Sequence, residues 1–330
     1  MDYVSIPRDD QSFQKPLSAD QLKSMCIKGL GWGQGVKEIR ELASGMFNNT
    51  YLITLSDRKV ILRVGPAPGV RVFSNEEFLL RREQSVEPFF APIANVVSKT
   101  IFADFSGKMV NRDFVFQTFI EGELWGEIQP TLTPAEDDSL WEQLGEIAKQ
   151  IHAVPGKSFG FPPPQKQFGS WSEAVIAIVR DMVEDIHDLK IDPSGTGEFL
   201  DALEAGRRLL DEIRAPRLVH GDLWPKNVLL ERGAVGSRIT GLLDSERAFW
   251  GDPMAEWIFH DGTCAEAFWD GYGKRPMGGD AEFRNHAYTG LYAVQLYLEA
   301  WRFNLDDAPF RARLLAATRG MLETGKESPR

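Results

Sequence analysis

The sequence predicts an α+β protein of two lobes, with a small antiparallel-sheet lobe that carries one main helix and a larger, mainly helical lobe after it. Three observations predict this. The chain has 330 residues, and a chain of this length usually forms more than one domain. Strand-like alternation dominates residues 36–120, and long helical patterns dominate after Gly122. Strand character returns only briefly, at residues 218–243.

The small lobe begins after a polar segment. Residues 1–17 are polar and contain two prolines, which predicts a flexible arm. Ser18 is a suitable N-cap for a short helix, which the glycines from Gly29 onwards end. We assign this lobe to residues 18–119. Apolar alternation between turn residues predicts its strands, at residues 36–42, 51–55, 60–64, 95–105 and 114–120.

One helix is predicted between these strands, at Ser74. A serine is a favourable N-cap, and Glu76 and Glu77 follow it in the first turn, where acidic side chains suit the helix dipole.

The larger lobe is assigned to residues 120–330 and is predicted to be mainly helical. Its clearest signal is Thr133-Pro134-Ala135-Glu136, a capping box with proline at the first helical position. Long helical patterns are predicted at residues 134–152, 171–189 and 198–213. Further helices rich in aromatic residues follow from about residue 253.

Charge narrows the class of function. The net charge is −11, but residues 1–120 carry +2 and the rest carries −13. No basic face is available to neutralise phosphates, which argues against a nucleic-acid partner. The acidic part permits a cationic, amine-bearing ligand or a bound metal, and a solvated acidic surface is the alternative.

Cysteine usage and the start of the chain predict the compartment. Cys26 and Cys264 have neither metal-site spacing nor a disulfide pattern, which is typical of a reducing environment. The first ten residues do not resemble a secretion signal, and no apolar run is long enough to span a membrane. We expect a cytoplasmic monomer or homodimer with no membrane partner.

The strongest chemical signal lies at residues 218–230, LVHGDLWPKNVLL. Polar residues stand between two apolar strand-like runs, which places Asp222 and Asn227 on a tight loop with anchored ends. Phosphoryl transfer uses such a carboxylate to orient a hydroxyl and an amide oxygen to coordinate magnesium. Asp244 ends an apolar strand 17 residues after Asn227, and a lone carboxylate is a natural ligand for Mg²⁺.

These linked residues resemble the aminoglycoside phosphotransferase and choline kinase superfamily. The resemblance rests on HGD at 220–222 with an asparagine at 227, on Asp244, and on Gly251-Asp252-Pro253. It covers most of the chain from about Ser18. It implies the bilobal protein-kinase-like fold and an enzyme that transfers the γ-phosphoryl group of ATP or GTP to a hydroxyl with Mg²⁺.

The resemblance also implies a role for each matched residue. Asp222 is then the catalytic aspartate, and Asn227 and Asp244 are the magnesium ligands. His220 is implied to hold the loop through a structural hydrogen bond, and Asp252 to be structural. An Asp or Asn that merely caps a turn is the alternative.

The small lobe is then expected to bind the nucleotide. The kinase pattern places a phosphate-binding lysine on the third strand, and the matching residue here is Arg63, which can bind phosphate as a fork. Its expected partner is Glu76 or Glu77. Ile61, on the same face of the strand, is expected to contact the adenine. An exposed strand arginine is the alternative for Arg63.

Two more segments complete the expected nucleotide site. The loop at 44–50 is expected to cover the phosphates with backbone amides and with the small polar residues Ser44, Asn48, Asn49 and Thr50. It has one glycine and lacks the GxGxxG of protein kinases, so an ordinary hairpin turn is the alternative. The hinge is expected at 117–122, starting at Gln117 and contacting adenine through Thr118 and Ile120. The chain contains no GxxxxGK[ST] motif, which excludes a P-loop kinase.

The acceptor is expected in the helical lobe. Aromatic and acidic side chains suit a cationic or amine-bearing, polyhydroxylated molecule, although aromatic residues at helical spacing are commonly core residues. The candidates are Trp257, His260, Asp261, Trp269, Glu299 and Asp306.

An antibiotic (an aminoglycoside, macrolide or cyclic peptide) is the first expected acceptor. A hydroxylated metabolite such as choline, homoserine or a sugar is the alternative. A protein kinase is disfavoured because no Ala-Pro-Glu segment follows Asp244. A nucleotide-binding pseudoenzyme is favoured only by the arginine at position 63.

Overall fold

The computed structural model describes residues 2–8, 12–31, 35–43, 45–234, 236–275 and 279–327. These residues form the α+β architecture that the sequence predicts, with an antiparallel sheet in the first part and helices in the second. Within those ranges, no helix combines the length and the apolar character needed to cross a membrane.

The small lobe is built on one sheet. Its strands are β1 Asp2–Val4, β2 Glu38–Leu42, β3 Asn49–Thr54, β4 Lys59–Val64, β5 Thr100–Asp104 and β6 Phe114–Thr118. They lie in the order β1-β2-β3-β4-β6-β5, with β1 parallel to β2 and the other pairs antiparallel.

The two faces of this sheet have different surroundings. Helix α1 (Ala19–Leu30) packs against one face, where side chains such as Tyr51 and Leu62 are fully buried. Cross-strand partners share a face, so the opposite face carries Ile61 beside Gln117 and Arg63 beside Val115. This second face points towards the large lobe, because Arg63 contacts residues there.

The start of the chain differs from the predicted arm. Asp2–Val4 forms the parallel edge strand β1, and the Asp2 N–H donates to the Lys37 carbonyl at 3.0 Å. The Gln14 side chain donates to the carbonyls of Gly45 and Asn48 at 2.9 and 2.6 Å. Part of residues 1–17 is therefore ordered against the sheet, while the lobe boundary at 119/120 stays a prediction.

The predicted helix at Ser74 begins later than its sequence pattern indicates. Ser74–Glu76 is a single 3-10 turn, and helix α2 spans Leu79–Val86. Between them, Phe78 adopts a left-handed backbone conformation with φ 59°, which interrupts the helical path. Glu76 and Glu77 therefore lie before α2, whereas Glu83 lies within it.

The large lobe contains long helices and short strands. Its elements among the described residues are β7 Glu123–Leu124, α3 Trp125–Ile128, α4 Pro134–His152, α5 Trp171–Leu189, α6 Thr196–Ala205, α7 Arg207–Leu210, β8 Arg217–Val219, β9 Val228–Gly233, β10 Gly236–Leu242, β11 Phe249–Gly251, α8 Ala267–Tyr272, α9 Gly279–Arg302 and α10 Ala308–Glu327. The predicted capping box at Thr133 is present, and the helix predicted at 198–213 is split into α6 and α7 at Gly206.

The short strands hold the polar loop in place. β9 pairs with β10 and β7, and β8 pairs with β11, all antiparallel. The loop of residues 220–227 joins β8 to β9, and Asp244 follows β10. Leu218 and Val219 before the loop and Val228 after it are fully buried. Both ends of the loop are therefore anchored in apolar core.

Candidate active site

The loop at 220–227 brings the three motif residues together. The Asn227 amide nitrogen donates to the backbone carbonyl and the Oδ2 atom of Asp222, both at 2.9 Å. The Leu243 N–H donates to the Asn227 carbonyl at 2.8 Å, which places Asp244 beside the loop. Burial raises the pKa of Asp222 to about 7, although the positive charge of Arg247 acts to lower it.

A glycine is required at position 221. Its φ is 77°, and a Cβ atom there would lie 2.3 Å from the carbonyl oxygen of Arg247. Any other residue would be strained and would push the segment after Asp244 away from the loop. The glycine of the HGD motif therefore permits close contact between the two halves of the site.

Glu256 holds the loop from its buried side. Its Oε2 accepts the His220 N–H at 2.8 Å and its Oε1 accepts the Gly221 N–H at 2.9 Å. Burial tends to raise the pKa of Glu256, but hydrogen bonding and charge from His152, together with His220, lower it overall. The carboxylate is thus stabilised in its charged form. No motif in the sequence singles out Glu256, although it lies four residues after Asp252 of the GDP motif.

His220 contributes through its backbone. The family resemblance implies a structural hydrogen bond at His220 that holds the loop, and the ring nitrogens have no partner in good geometry among the described residues. The ring is fully buried, with its edge against Phe90. Burial lowers the pKa of His220, and the charge of Glu256 opposes this. The His220 N–H donates to Glu256, and this bond helps to order the loop together with that of Gly221.

Arg63 lies at the centre of a buried charge network. Its Nη1 pairs with Glu83 at 2.8 Å, and its Nη2 pairs with Asp244 at 3.0 Å and with Glu246. Burial alone would lower the pKa of Arg63, but the charges of Glu246, Glu83 and Asp244 raise it. Three carboxyl groups face this guanidinium, and burial raises the pKa of Glu83 and of Glu246 against the charge of Arg63.

The expected partners of Arg63 are therefore wrong. Glu76 is buried and pairs instead with Arg302 at the end of α9, while Glu77 is exposed. The reason is the left-handed backbone at Phe78, which shifts the helical register so that Glu83 reaches Arg63. The sequence indicates Glu83 as the partner of Arg63 only when α2 is known to begin at Leu79.

Asn227 and Asp244 offer oxygen atoms to a divalent cation. The Asn227 amide nitrogen is bonded to Asp222, which turns its Oδ1 away from that carboxylate. The Asp244 side chain is 42% exposed and adopts a left-handed backbone conformation. Over the described ranges, no cluster of three or more His, Cys, Asp or Glu residues could hold a metal alone. Mg²⁺ usually binds one or two protein oxygens together with waters and phosphates, so this pair fits it.

The expected phosphate loop is only partly positioned for that role. Ser44 lies outside the described residues. The Asn48 amide donates to Glu246 at 2.8 Å, and the Asn49 amide donates to Glu41 at 3.0 Å. Both asparagine side chains are buried in the protein's own contacts. Thr50 lies directly across from Arg63 on the face towards the large lobe.

The expected hinge lies at the end of β6. Gln117 is buried beside Ile61 on the face that carries Arg63. The Thr118 N–H donates to the Lys99 carbonyl at 2.9 Å, so this donor is already used by the protein. Ile120 is partly buried against Gly241 and Leu229 of the large lobe.

The acceptor candidates separate into two groups. Trp257 and Glu299 lie near the loop: Trp257 packs edge-on against Trp224 at 6.1 Å, and Glu299 pairs with Arg247 at 3.1 Å. Asp261 and Asp306 accept hydrogen bonds from the backbone of their own turns, and Trp269 stacks on Phe259 among other aromatic residues. Asp252 is buried and accepts a bond from the Tyr288 hydroxyl at 2.8 Å.

His260 is a core residue in this structure. Its Nδ1 lies 3.0 Å from the Thr289 hydroxyl and its Nε2 lies 2.9 Å from the Met254 carbonyl, with 2% of the residue exposed. Burial lowers the pKa of His260 to about 4. The hydrogen bond to Met254 raises this pKa, and the charges of nearby arginines lower it further.

This pKa predicts that His260 makes the protein sensitive to acid. The unfolded chain binds its proton near pH 6.5 and the folded chain near pH 4, so stability falls as the pH drops between them. We expect the decrease in the free energy of unfolding across this pH range to be about 3 kcal/mol smaller in His260→Gln than in the parent. Denaturant unfolding at several pH values measures it. An unchanged difference between pH 7 and pH 4.5 in the variant would contradict the prediction.

Comparisons with known proteins identify the family and the fold. Residues 38–284 match the family model described as the phosphotransferase enzyme family. Among curated protein sequences, none matches the chain.

Three solved structures illustrate the likeness in fold. A thermostable mutant of aminoglycoside phosphotransferase APH(4)-Ia, in complex with AMP-PNP and hygromycin B, has a TM-score of 0.65 and 19% identity, covering 91% of this chain and 98% of that one. A proposed fructosamine-3-kinase from Haemophilus somnus 129PT has a TM-score of 0.61 and 14% identity, and the match covers 91% of this chain and 96% of that one. The GDP complex of aminoglycoside 2'-phosphotransferase-IIIa has a TM-score of 0.61 and 17% identity, and the match covers 94% of this chain and 99% of that one.

Proposed function

The chain belongs to the phosphotransferase enzyme family, and from that premise we propose that it transfers the γ-phosphoryl group of ATP or GTP to a hydroxyl of a small molecule. The observation that carries the proposal is the convergence of Asp222, Asn227 and Asp244 beside the buried Arg63 network. Hydrogen bonds of 2.9 Å join Asn227 to Asp222, and one of 2.8 Å from the Leu243 N–H to the Asn227 carbonyl connects the loop to the segment that bears Asp244.

Each residue has a distinct part in the proposed transfer. Asp222 orients the acceptor hydroxyl and accepts its proton as the new bond to phosphorus forms. Asn227 and Asp244 would hold Mg²⁺, which neutralises charge on the phosphate oxygens when it is bound. Arg63 pairs with Glu83 of the small lobe and with Asp244 of the large lobe, and so joins the two lobes at one site.

An antibiotic is the acceptor that we propose first. Two of the similar folds are named as aminoglycoside phosphotransferases, and one of them binds hygromycin B. The large lobe carries a surplus of acidic residues, which suits an amine-bearing acceptor. A sugar-like metabolite is the second candidate, and the similar fold named as a proposed fructosamine-3-kinase favours it.

A mass-shift screen tests the proposal directly. The purified chain is incubated with ATP or GTP and Mg²⁺ against antibiotics and hydroxylated metabolites, and a gain of one phosphoryl group is measured. A susceptible host that expresses the chain separates the two acceptor classes, since an antibiotic acceptor should raise its inhibitory concentration. No transfer to any hydroxyl compound, with the nucleotide still bound, would contradict the proposed activity.

The pairing of Arg63 with Glu83 predicts that loss of Glu83 weakens nucleotide binding. Glu83→Gln replaces the carboxyl group that positions Arg63, the expected phosphate-binding residue, and we expect the KM for nucleotide to rise about tenfold, a difference of about 1.4 kcal/mol. Glu77→Gln, at an exposed position before α2, is the matched control. Steady-state kinetics measure both variants. A larger rise for Glu77→Gln than for Glu83→Gln would contradict the pairing that the structure shows.

A further inference from the structure

The end of α9 in the large lobe contacts the loop between β2 and β3, part of which is expected to cover the phosphates. The Cζ atom of Arg302, the last residue of α9, lies 4.5 Å from the ring centroid of Phe13 and 6.0 Å from that of Phe47 in this β2–β3 loop. The two rings also pack against each other, with 5.2 Å between their centroids. A cation within about 6 Å of a ring centroid is attracted to the face of that ring. Arg302 therefore connects the large lobe to the loop through two aromatic side chains.

The guanidinium of Arg302 is held in place by Glu76. Its Nη1 donates to Oε1 and its Nη2 donates to Oε2, both at 2.5 Å, and the two side chains are 7% and 1% exposed. The ring centroid of Phe73 lies 3.9 Å from Cζ, and the Phe73 N–H donates to Glu76 at 2.9 Å. A pair with two parallel hydrogen bonds fixes the orientation of the guanidinium as well as its distance. The aromatic contacts of Arg302 are therefore made in one defined orientation.

The N-terminal segment that carries Phe13 also holds the backbone of the β2–β3 loop. The side chain of the next residue, Gln14, donates to two carbonyls of the loop at 2.9 and 2.6 Å. In addition, the Asn48 amide donates to Glu246 at 2.8 Å, and Glu246 pairs with Arg63. The loop therefore contacts the N-terminal segment and the buried charge network at the same time.

We propose that Arg302 is a positioning residue for the nucleotide, and that it acts through Phe13 and Phe47 to keep the β2–β3 loop closed over the phosphates. This inference rests on the proposed function, because it requires a nucleotide between the loop and Arg63. Closure of a loop over a bound ligand slows release of that ligand, and a loop that is already ordered loses less conformational freedom on binding. The ion pair of Arg302 is made outside the motif residues. Arg302 therefore acts on the lifetime of the bound nucleotide and not on the chemical step.

The rate of nucleotide release from the full chain tests the proposal. A fluorescent analogue of ATP or GTP is bound with Mg²⁺ and is then displaced by excess unlabelled nucleotide in a stopped-flow instrument. Phe47→Leu removes the ring in the loop and leaves the ion pair of Arg302 intact, and we expect the dissociation rate constant to rise about tenfold. The value of kcat should not fall, and Phe47→Tyr, which keeps the ring, should retain the slow release of the parent. Release at the parent rate from Phe47→Leu would overturn the proposal.

A double-mutant cycle connects this effect to the large lobe. Arg302→Met keeps most of the length of the side chain but removes its charge, and it should speed release to a similar extent. If the two residues act through one contact, Arg302→Met adds little to Phe47→Leu in the double variant. Effects that multiply would refute the proposed contact. Phe13→Leu, which leaves the ion pair intact, replaces Arg302→Met in the cycle if that variant does not fold. Arg319→Met, at an exposed position on α10, is the matched control and should release nucleotide as the parent does.

These release rates do not depend on the acceptor. A parent protein that binds nucleotide but transfers no phosphoryl group contradicts the proposed function, and this inference is then decided by the release rates alone. Normal transfer together with unchanged release from the variants overturns only the role of Arg302. A chain that binds no nucleotide overturns both. Thermal unfolding without nucleotide identifies a purely structural role, because Arg302→Met and Phe47→Leu would then lower the Tm while nucleotide release stays at the parent rate.

Discussion

Asp222→Asn should lower kcat by about 10² to 10⁴ while leaving the affinity for nucleotide almost unchanged. The amide cannot accept the proton of the acceptor hydroxyl, but it keeps the shape of the side chain and the bond from Asn227, which is 2.9 Å long in the structure. Because burial raises the pKa of Asp222, its charged form is disfavoured in the folded protein. The variant should therefore unfold at the same temperature as the parent or at a higher one.

The measurement is phosphoryl transfer to an acceptor found in the screen, together with nucleotide titration and thermal unfolding. Asp201→Asn, an exposed aspartate on α6, is the matched control and should behave as the parent does. Loss of activity without loss of stability separates a chemical role from a structural one. Full activity of Asp222→Asn would remove the basis of the proposed reaction.

Glu256→Ala should give the largest loss of stability, about 3–5 kcal/mol. Its carboxylate accepts the N–H groups of His220 and Gly221, and also those of Leu223 at 3.4 Å and Trp257 at 3.1 Å. Alanine leaves these buried donors without an acceptor. Since they fix the path of the loop, kcat should fall more than the KM for nucleotide rises.

Glu256→Gln is the informative second variant, because it keeps one acceptor oxygen and should retain part of the stability. Glu142→Ala, at an exposed position on α4, is the control for the loss of a glutamate. Denaturant unfolding and steady-state kinetics measure both effects. A Glu256→Ala protein as stable as the parent would show that the loop holds its shape by other contacts.

The fold and the loop at 220–227 were predictable because their signals lie in short segments of the sequence. The pattern around Asp222 and Asn227 spans only a few residues between two buried strands, so the loop is visible in the sequence although the distant Glu256 fixes its path. The bounds of α5 at Trp171–Leu189 likewise agree with the helical pattern.

The partner of Arg63 was not predictable in this way. The sequence pattern favours a helix from Ser74, and only the backbone at Phe78 moves its start to Leu79. Glu76 is then free to pair with Arg302, a residue more than two hundred positions away in the chain. Contacts between residues so far apart leave no periodic signal in either segment.

By itself, therefore, the sequence predicted the α+β architecture, the family resemblance and the candidate set Asp222, Asn227 and Asp244. Each of these depends on hydrogen-bonding capacity and hydrophobic period within a short segment. Only the tertiary structure decided that Glu83 pairs with Arg63, that Glu256 holds the loop, and that His260 is buried. Burial of a charge or ring requires partners from distant segments, and packing of those segments decides which partners meet.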